Sequence, residues 1–300
     1  MTANDNNQQA RILDGLKASE AIIGRVRESI ESHVQAGGRR PGLAVVLVGS
    51  DPASSIYVRA KRRDCERAGI LARDYDLDES TSQESLLHLI DELNDQPDVD
   101  GILVQLPLPA HIDENSVTNR ISSSKDVDGF NAFNVGKLAL RQPGLRPCTP
   151  RGVMALLHFY GIANKSMHAV IVGASNIVGR PMCLELLLTG STVTVSHRFT
   201  HDLEDHVRGA ELLISAIGKR GIVRSEWISP GTIVVDVGIN RLPNGKITGD
   251  IDFETASKRA SWISPVPGGV GPMTRATLML NTAEAAGLTV NLPYRQAPMG

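Results

Sequence analysis

The chain of 300 residues carries a formal net charge of −2, with 41% hydrophobic and 21% charged residues, which is typical of an ordinary globular protein with room for two domains. The near-neutral charge offers no basic field for nucleic acid or an anionic membrane surface. No apolar run approaches the length of a membrane span, and the polar start of the chain lacks the apolar segment of a signal peptide.

The three cysteines, Cys65, Cys148 and Cys183, lie far apart in the sequence. They are too few and too scattered for a disulfide framework or a zinc site. The sequence therefore predicts a protein of the reducing cytoplasm, with no metal centre.

The first predicted element is a helix over residues 11–35, where apolar residues recur largely at helical spacing. A glycine-rich segment at 37–42 ends it. The next run, Leu43–Val48, is apolar throughout and is typical of a strand buried on both faces. Asp51 suits a helix cap, and the helix that it opens is predicted to end at about Ala68.

Tyr57 and Lys61 lie four residues apart on this second helix and therefore share one face. They follow closely on the carboxyl end of a strand, which is the rim where ligands bind in open α/β sheets. A phenol and an amine there could position a substrate and handle a proton. The alternative is that the basic run at 61–63 is only a solvated helix face.

Three further elements complete the pattern of the first half. Residues 70–77 predict a second, more exposed strand, 82–94 predict a helix, and 99–106 predict a third strand. Strands that alternate with helices at this spacing indicate βαβ units and a parallel sheet.

Two polar positions in the first half are candidate site residues. Gln105 falls near the carboxyl end of the third strand, where its amide either serves a site or only caps the loop. The segment KDVDG at 125–129 places Asp126 and Asp128 in a predicted turn, and acidic residues are common in turns without any function.

The second half begins after a proline-rich segment at 141–150, which we interpret as a linker. His168–Val172 predicts a strand, Gly173–Gly179 a glycine turn, and the residues after it a helix. This order is the dinucleotide-binding arrangement, in which a phosphate rests at the amino end of the helix. Since Ser175 stands where the middle glycine of the fingerprint would be, an ordinary strand–helix turn remains the alternative.

The next strand, Thr192–Ser196, bears on the choice of cofactor. A dinucleotide-binding unit contacts the adenosine ribose at the end of this strand, where a carboxylate favours NAD and a cation accommodates the extra phosphate of NADP. The chain has His197 and Arg198 there and no carboxylate, which favours NADP. The alternative is that Arg198 lies along the surface and backbone amides alone hold the phosphate.

The last elements are two strands at 212–216 and 233–237, a turn, and a final helix from about Thr274 to Ala286. Both strands end in glycine, which we interpret as room for the backbone to approach a ligand. The turn at 265–272 holds three prolines and three glycines. It is either part of a site or a purely structural turn.

Seven of these stretches, taken in order, resemble the bifunctional methylenetetrahydrofolate dehydrogenase/methenyltetrahydrofolate cyclohydrolase family from Ile12 to about Thr282. The motifs that carry the resemblance are YVRAK at 57–61, GILVQLPLP at 101–109, KDVDGFN at 125–131, PCTPRG at 147–152, GASNIVGRP at 173–181, DVGIN at 236–240 and PVPGGVGPMT at 265–274.

The resemblance implies two α/β domains that flank a cleft. Residues 1–148 would form the folate-binding and catalytic domain, joined by the C-terminal helix at about 274–290. Residues 149–273 would form a Rossmann-like NADP-binding domain with a parallel sheet. Such proteins are usually homodimers. They oxidise 5,10-methylenetetrahydrofolate with NADP and hydrolyse the methenyl product to 10-formyltetrahydrofolate, a one-carbon donor for purine biosynthesis.

The resemblance also implies roles for the folate site. Lys61 would be the key group of the cyclohydrolase step, with Gln105 holding it in place. Tyr57 would stack on the folate, and Asp128 would hydrogen-bond the pterin. The loop Pro267, Gly268 and Gly269 would line the same cleft. The sequence leaves open whether the lysine acts as a base or as a cation that orients water.

For the cofactor, the resemblance implies contacts from Gly173, Ala174, Ser175 and Ile239. Many relatives have arginine where this chain has Ala174, and often serine where it has Arg198, so the cation has changed position while the preference for NADP is kept.

Other departures are Ser123 in place of a proline, Asn131 and Ala132 in place of histidine and proline, and Arg275 in place of an apolar residue. Arg275 follows the predicted folate loop and could alter the grip on the folate tail.

Two other functions remain as alternatives. A dehydrogenase without cyclohydrolase activity would be expected to lose Lys61 or Gln105, and both are present. A non-catalytic nucleotide-binding module would have no need to keep Tyr57, Lys61, Gln105 and Asp128 together.

Overall fold

The computed structural model describes residues 9–49 and 52–292, except for the side chains of residues 52–56. The chain forms two compact units. One, the six-stranded unit, comprises the described residues up to Ala18 together with Thr149–Met273. The other, the three-stranded unit, comprises Ser19–Cys148 and the described residues from Thr274 onward.

In chain order the elements are β1 (Arg11–Ile12), α1 (Gly15–Gln35), β2 (Gly42–Val48), α2 (Pro52–Ala68), β3 (Leu71–Leu77), α3 (Gln83–Asp95), β4 (Gly101–Val104), α4 (Glu114–Arg120), α5 (Ala132–Ala139), α6 (Cys148–Phe159), β5 (His168–Val172), α7 (Gly179–Leu188), β6 (Thr192–Ser196), α8 (Leu203–Arg208), β7 (Leu212–Ser215), β8 (Ile233–Asp236), β9 (Asn240–Arg241), β10 (Ile247–Thr248), α9 (Phe253–Ala256), β11 (Trp262–Ile263) and α10 (Val270–Ala285).

The three-stranded unit is built on a parallel sheet in the order β3-β2-β4. Every residue of the central strand β2 is buried, as its unbroken apolar run predicts. The strand β3 lies at the edge and consists of exposed and half-buried residues, which confirms the more exposed strand. The predicted cap Asp51 lies outside the described residues, while the Ser82 hydroxyl caps α3 by accepting from the amide of Ser85 at 3.1 Å.

The six-stranded unit has a parallel sheet in the order β1-β11-β8-β7-β5-β6. After β5 the chain passes to β6 on one side and then to β7 on the other. The strand order therefore reverses beside β5, and the carboxyl ends there form the crevice where doubly wound sheets bind ligands. This topology confirms the predicted Rossmann-like fold.

The start of the chain differs from the predicted domain of residues 1–148. Arg11 and Ile12 pair in parallel with Trp262 and Ile263 at the edge of the six-stranded sheet, and the amide of Ala10 donates to Ser257 O at 2.9 Å. The predicted helix over 11–35 correspondingly begins only at Gly15. A two-residue strand has no periodicity of its own. Its partners lie some 250 positions away in the chain, far outside the window of about 11–18 residues over which a sequence pattern can be recognised.

Within the described residues, no helix is both long and apolar enough to cross a membrane. None of the three cysteines takes part in a disulfide among the described residues. No group of three or more metal-ligating side chains is found in the same part of the chain.

Candidate active site

Lys61 is buried on α2, with only 4% of its surface exposed. Its Nζ donates to Gln105 Oε1 at 3.1 Å and lies 4.9 Å from the centre of the Tyr57 ring. A buried ammonium needs such acceptors because it has lost its water. The solvated-face alternative therefore fails for Lys61 and applies only to Arg63, since Arg62 pairs with Asp74 and Asp76 of β3.

Gln105 connects the end of the sheet to Lys61. Its backbone amide extends the ladder by donating to Val46 O at 2.9 Å. Both polar atoms of its side chain make hydrogen bonds: Nε2 donates to Leu106 O at 2.6 Å, and Oε1 accepts from Lys61 Nζ. The amide thus caps its own loop, and this bond orients the side chain so that its oxygen, and not its NH2 group, faces the lysine.

Tyr57 is half-buried one helical turn before Lys61. Burial raises the pKa of its phenol well above the ordinary value, although the charge of Arg275 and a hydrogen bond with Thr274 act in the opposite direction. The hydroxyl therefore stays protonated near neutral pH. The ring offers an apolar face and its rim a hydrogen-bonding group.

The two carboxylates of the KDVDG turn have different surroundings. Asp126 is buried and accepts from the amides of Phe130 at 3.2 Å and Asn131 at 2.8 Å and from Asn134 Nδ2 at 2.9 Å. Burial raises the pKa of Asp126 to about 6, although these bonds oppose the change. Its donors belong to the turn itself and to α5, so Asp126 shapes the loop. Asn131, one of the departures, caps α5 through the amide of Phe133 at 2.8 Å.

Asp128 is half-buried and lies close enough to Lys61 to feel its charge. Burial raises the pKa of Asp128, while Lys61 and a hydrogen bond with Cys148 lower it. The structure thus brings Tyr57, Lys61, Gln105 and Asp128 together in the three-stranded unit, as one group around a buried cation.

Arg275, from the start of the last helix, takes part in an ion pair that the sequence did not predict. Its Nε donates to Asp64 Oδ2 at 2.7 Å, and the buried Asp64 also meets Arg67 at 3.3 Å. Asp64 lies three residues after Lys61 on α2, so the pair joins α10 to the helix that carries Tyr57. An acidic residue directly after the basic run 61–63 was the available signal, but nothing local identified its partner 211 positions away.

The Pro267–Gly269 turn lies between β11 and α10 in the six-stranded unit. Gly268 O accepts from the amides of Gly15 at 2.9 Å and Leu16 at 3.2 Å. A Cβ on Gly15 would overlap Gly269 O, so the start of α1 packs directly on this turn. These contacts give the turn a structural role, and its contact with folate stays a prediction.

A groove of about 920 Å³ opens at the carboxyl ends of β5, β6 and β7. Its lining includes four of the predicted cofactor residues, Gly173, Ala174, Ser175 and Arg198. Ile239, which is 59% exposed, is not among the described lining residues.

The glycine turn of this groove is shaped by close backbone approach. A Cβ on Gly173, whose φ is +123°, would overlap Ala216 O, and one on Gly179 would overlap Gly173 O. Ser175 Oγ accepts from the amide of Val178 at 3.2 Å, ahead of α7. The serine therefore folds the turn onto the helix, and the missing middle glycine does not disrupt the dinucleotide-binding arrangement.

Four basic side chains line the groove: Arg180, His197, Arg198 and Lys219. Arg180 Nε donates to Ala174 O at 3.2 Å, and the exposed guanidinium of Arg198 lies 4.6 Å from the centre of the Phe199 ring. Arginine and lysine are the residues that bind phosphates in proteins, so this lining fits a phosphate-bearing dinucleotide. Sequence reasoning missed Arg180 and Lys219, although each directly follows a glycine turn at the end of a strand.

Fold and sites together define a two-unit α/β protein with a dinucleotide groove in one unit and a lysine-centred cluster of polar side chains in the other. The chain belongs to the tetrahydrofolate dehydrogenase/cyclohydrolase family. The catalytic-domain model of that family matches residues 13–128, and its NAD(P)-binding-domain model matches residues 147–290.

Solved structures agree with this membership. The bifunctional FolD methylenetetrahydrofolate dehydrogenase/cyclohydrolase of Campylobacter jejuni is 50% identical, over 93% of this chain and 99% of that one, with a TM-score of 0.91. The 5,10-methylenetetrahydrofolate dehydrogenase of Bombyx mori is 39% identical over 93% and 98%, with a TM-score of 0.87. The Trypanosoma brucei enzyme, solved with NADP and an inhibitor, is 36% identical over 92% and 97%, with a TM-score of 0.88.

Proposed function

We propose that this chain oxidises 5,10-methylenetetrahydrofolate to 5,10-methenyltetrahydrofolate with NADP and then hydrolyses the product to 10-formyltetrahydrofolate. The observation that carries the proposal is the buried Lys61 held by Gln105 beside Tyr57. Burying an ammonium group costs free energy, and a module that only bound nucleotides would have no functional need for such a group.

Bound NADP supplies the acceptor for the hydride in the first step. The chain's own residues hold and orient it. Gly173 and Ala174 line the groove with little or no side chain, and Arg198 offers a planar fork of donors for the ribose phosphate. Arg180 and Lys219 supply positive charge for the remaining phosphates.

In the second step a water molecule attacks the cationic methenyl carbon and loses one proton to solvent, which leaves a neutral hydroxyl on that carbon. As the ring opens at one carbon–nitrogen bond, the hydroxyl gives up its proton, the departing nitrogen takes one up, and the formyl group remains on the other nitrogen. Negative charge develops on the oxygen as this hydroxyl loses its proton. Lys61, as a cation fixed by Gln105, orients that water and stabilises the developing charge. We assign Lys61 this electrostatic role because its described neighbours, the oxygen of Gln105 and the carboxyl group of Asp128, suit a cation.

Folate binding falls to the groups around Lys61. The half-buried ring of Tyr57 offers a stacking face for the pterin, and Asp128 offers a carboxylate that can accept from its N–H groups. Pro267, Gly268 and Gly269 are assigned to the same substrate, and Ile239 to the cofactor, on the resemblance of their motifs alone.

We assign the protein to the cytoplasm as a homodimer that supplies one-carbon units for purine biosynthesis. Among the described residues Cys65, Cys148 and Cys183 form no disulfide, which is consistent with a reducing compartment. Homodimers are usual among proteins that share these motifs.

One assay separates the three functions. The purified protein is mixed with 5,10-methylenetetrahydrofolate and NADP while the absorbance of NADPH and of the methenyl product is followed. A bifunctional enzyme forms NADPH and does not accumulate methenyltetrahydrofolate. Accumulation of the methenyl form indicates a dehydrogenase alone, and no NADPH indicates a binding module.

A further inference from the structure

Two buried carboxylates face each other behind the NADP groove. Asp236 ends β8 and Asp250 follows β10, and they are 4% and 0% exposed. The proposed function uses neither. Buried carboxylates cost free energy unless every lone pair is engaged, so the partners of this pair indicate what it holds.

Asp236 binds backbone on both sides of the small β9–β10 hairpin. Its Oδ1 accepts from the amides of Gly238 and Asp250, both at 3.1 Å, and its Oδ2 accepts from the amide of Ile251 at 2.8 Å. The carboxylate therefore ties the segment that enters the hairpin to the segment that leaves it, and it fixes the backbone of Asp250.

Asp250 in turn binds the loop that follows β7. Its Oδ2 accepts from Ser215 Oγ at 3.2 Å and from the amides of Ile217 at 2.8 Å and Gly218 at 3.1 Å. Its Oδ1 accepts from Asn240 Nδ2 at 2.9 Å. Ile217 lines the NADP groove, so the side chain of Asp250 holds the backbone of the groove wall at Ile217 and Gly218.

Two glycines make room for the pair. A Cβ on Gly238 would overlap the carboxylate of Asp250, and a Cβ on Gly249 would overlap that of Asp236. Each carboxylate thus occupies the place where a side chain of the opposite segment would begin. This corrects the interpretation of the DVG glycine at 238 as room for a ligand, because the space is taken by Asp250.

We propose that Asp250, held by Asp236, is a positioning residue that fixes the Ile217–Gly218 wall of the groove and thereby sets the affinity for NADP. The inference rests on the proposed use of NADP. A carboxylate suits the task because it accepts all four bonds at once, whereas an amide in its place would turn an N–H group toward other N–H groups.

The charge of the pair supports this arrangement. Burial raises the pKa of Asp236 to about 7, although its bonds with backbone amides act in the opposite direction, and the facing charge of Asp250 adds to the rise. The two carboxyl groups are therefore close enough to influence each other, as expected of a pair that acts as one unit.

The test is Asp250→Asn, measured in two ways. Amide hydrogen exchange of the protein without cofactor is expected to rise in the segment 215–218 and to stay unchanged in β5. The dissociation constant of NADP, from calorimetry, is expected to rise at least about tenfold, as for buried amides left without an acceptor. The cyclohydrolase rate, which needs no NADP, is expected to persist, whereas a folding defect would lower it as well.

A matched control is Asp126→Asn, which changes another buried carboxylate with three donors in the three-stranded unit. It should leave the affinity for NADP unchanged. Should Asp250→Asn fail to fold, Ser215→Ala removes one donor to the same oxygen and is expected to raise the dissociation constant by a smaller factor, about two- to fivefold.

Unchanged exchange at 215–218, or raised exchange with unchanged affinity, overturns the inference. If the unaltered protein binds no NADP, the proposed function fails on its own. The exchange measurement then still decides whether Asp250 anchors the loop.

Discussion

Replacing Arg198 by alanine is expected to weaken NADP binding and to leave NAD binding nearly unchanged. The side chain stands at the end of β6, lines the groove, and makes no ion pair with any residue that the structure describes. Its planar fork is therefore available for a phosphate. The neighbouring Ala174 carries no charge that could share the task.

The magnitude follows from the kind of contact. A hydrogen bond to a charged group contributes about 1.5–3 kcal/mol, which corresponds to a loss of roughly 10- to 150-fold in affinity for NADP. Exposed substitutions away from special features change the unfolding free energy by less than about 0.5 kcal/mol. A loss on this scale therefore reports the phosphate contact and not a damaged fold.

The assay is KM and kcat for both cofactors with the unaltered protein, Arg198→Ala and Lys219→Ala. Lys219 lies in the same groove but follows β7 and not β6. We expect it to meet a part of the cofactor that NADP and NAD have in common. Its removal should weaken both cofactors equally. An equal loss for both cofactors with Arg198→Ala would indicate a general positioning role, and no loss with either would refute the assignment and leave the phosphate to backbone amides.

Three further results are expected. Lys61→Met keeps an unbranched stem in the buried site but removes the cation, so methenyl hydrolysis should fall at least about a hundredfold while calorimetry still detects NADP binding; full hydrolysis would exclude Lys61 from the mechanism. Asp128→Ala should raise the KM for folate in both reactions, which corresponds to a loss of about 2–5 kcal/mol in binding free energy. A higher KM in only one reaction would contradict a shared folate site. For Asp236, whose pKa burial raises to about 7, the folded protein keeps a proton that the unfolded chain releases near pH 4. The contribution of Asp236 to the unfolding free energy is therefore largest below about pH 4. It falls as the pH rises and is lost above about pH 7, by on the order of 4 kcal/mol in all. Urea unfolding between about pH 5 and 8 should show a falling unfolding free energy that flattens in Asp236→Asn, and an equal slope in both proteins would contradict it.

Local patterns in the sequence were sufficient for the main elements. An unbroken apolar run with turn residues after it predicts a buried parallel strand and a following helix, because backbone hydrogen bonding and side-chain period act over a few residues. The spacing of Tyr57 and Lys61 placed both on one helix face for the same reason. The glycine turn at 173–179 and the cation after β6 likewise follow from short-range geometry.

The tertiary structure alone decided which of these residues act together. Lys61 is a buried cation only because Gln105, 44 positions later, turns an oxygen toward it. The same holds for Arg275, whose partner Asp64 is 211 positions away. No period in the sequence encodes such pairs, since they form only when the sheet brings the ends of distant strands together.

Two predictions failed for this reason. The segment at 11–12 was included in a helix, but the open edge of a distant sheet offered its backbone a better set of partners. Gly238 was interpreted as room for a ligand, yet the space is filled by the Asp250 carboxylate from the far side of a hairpin. A glycine in a sequence indicates that something comes close, and the folded chain determines what it is.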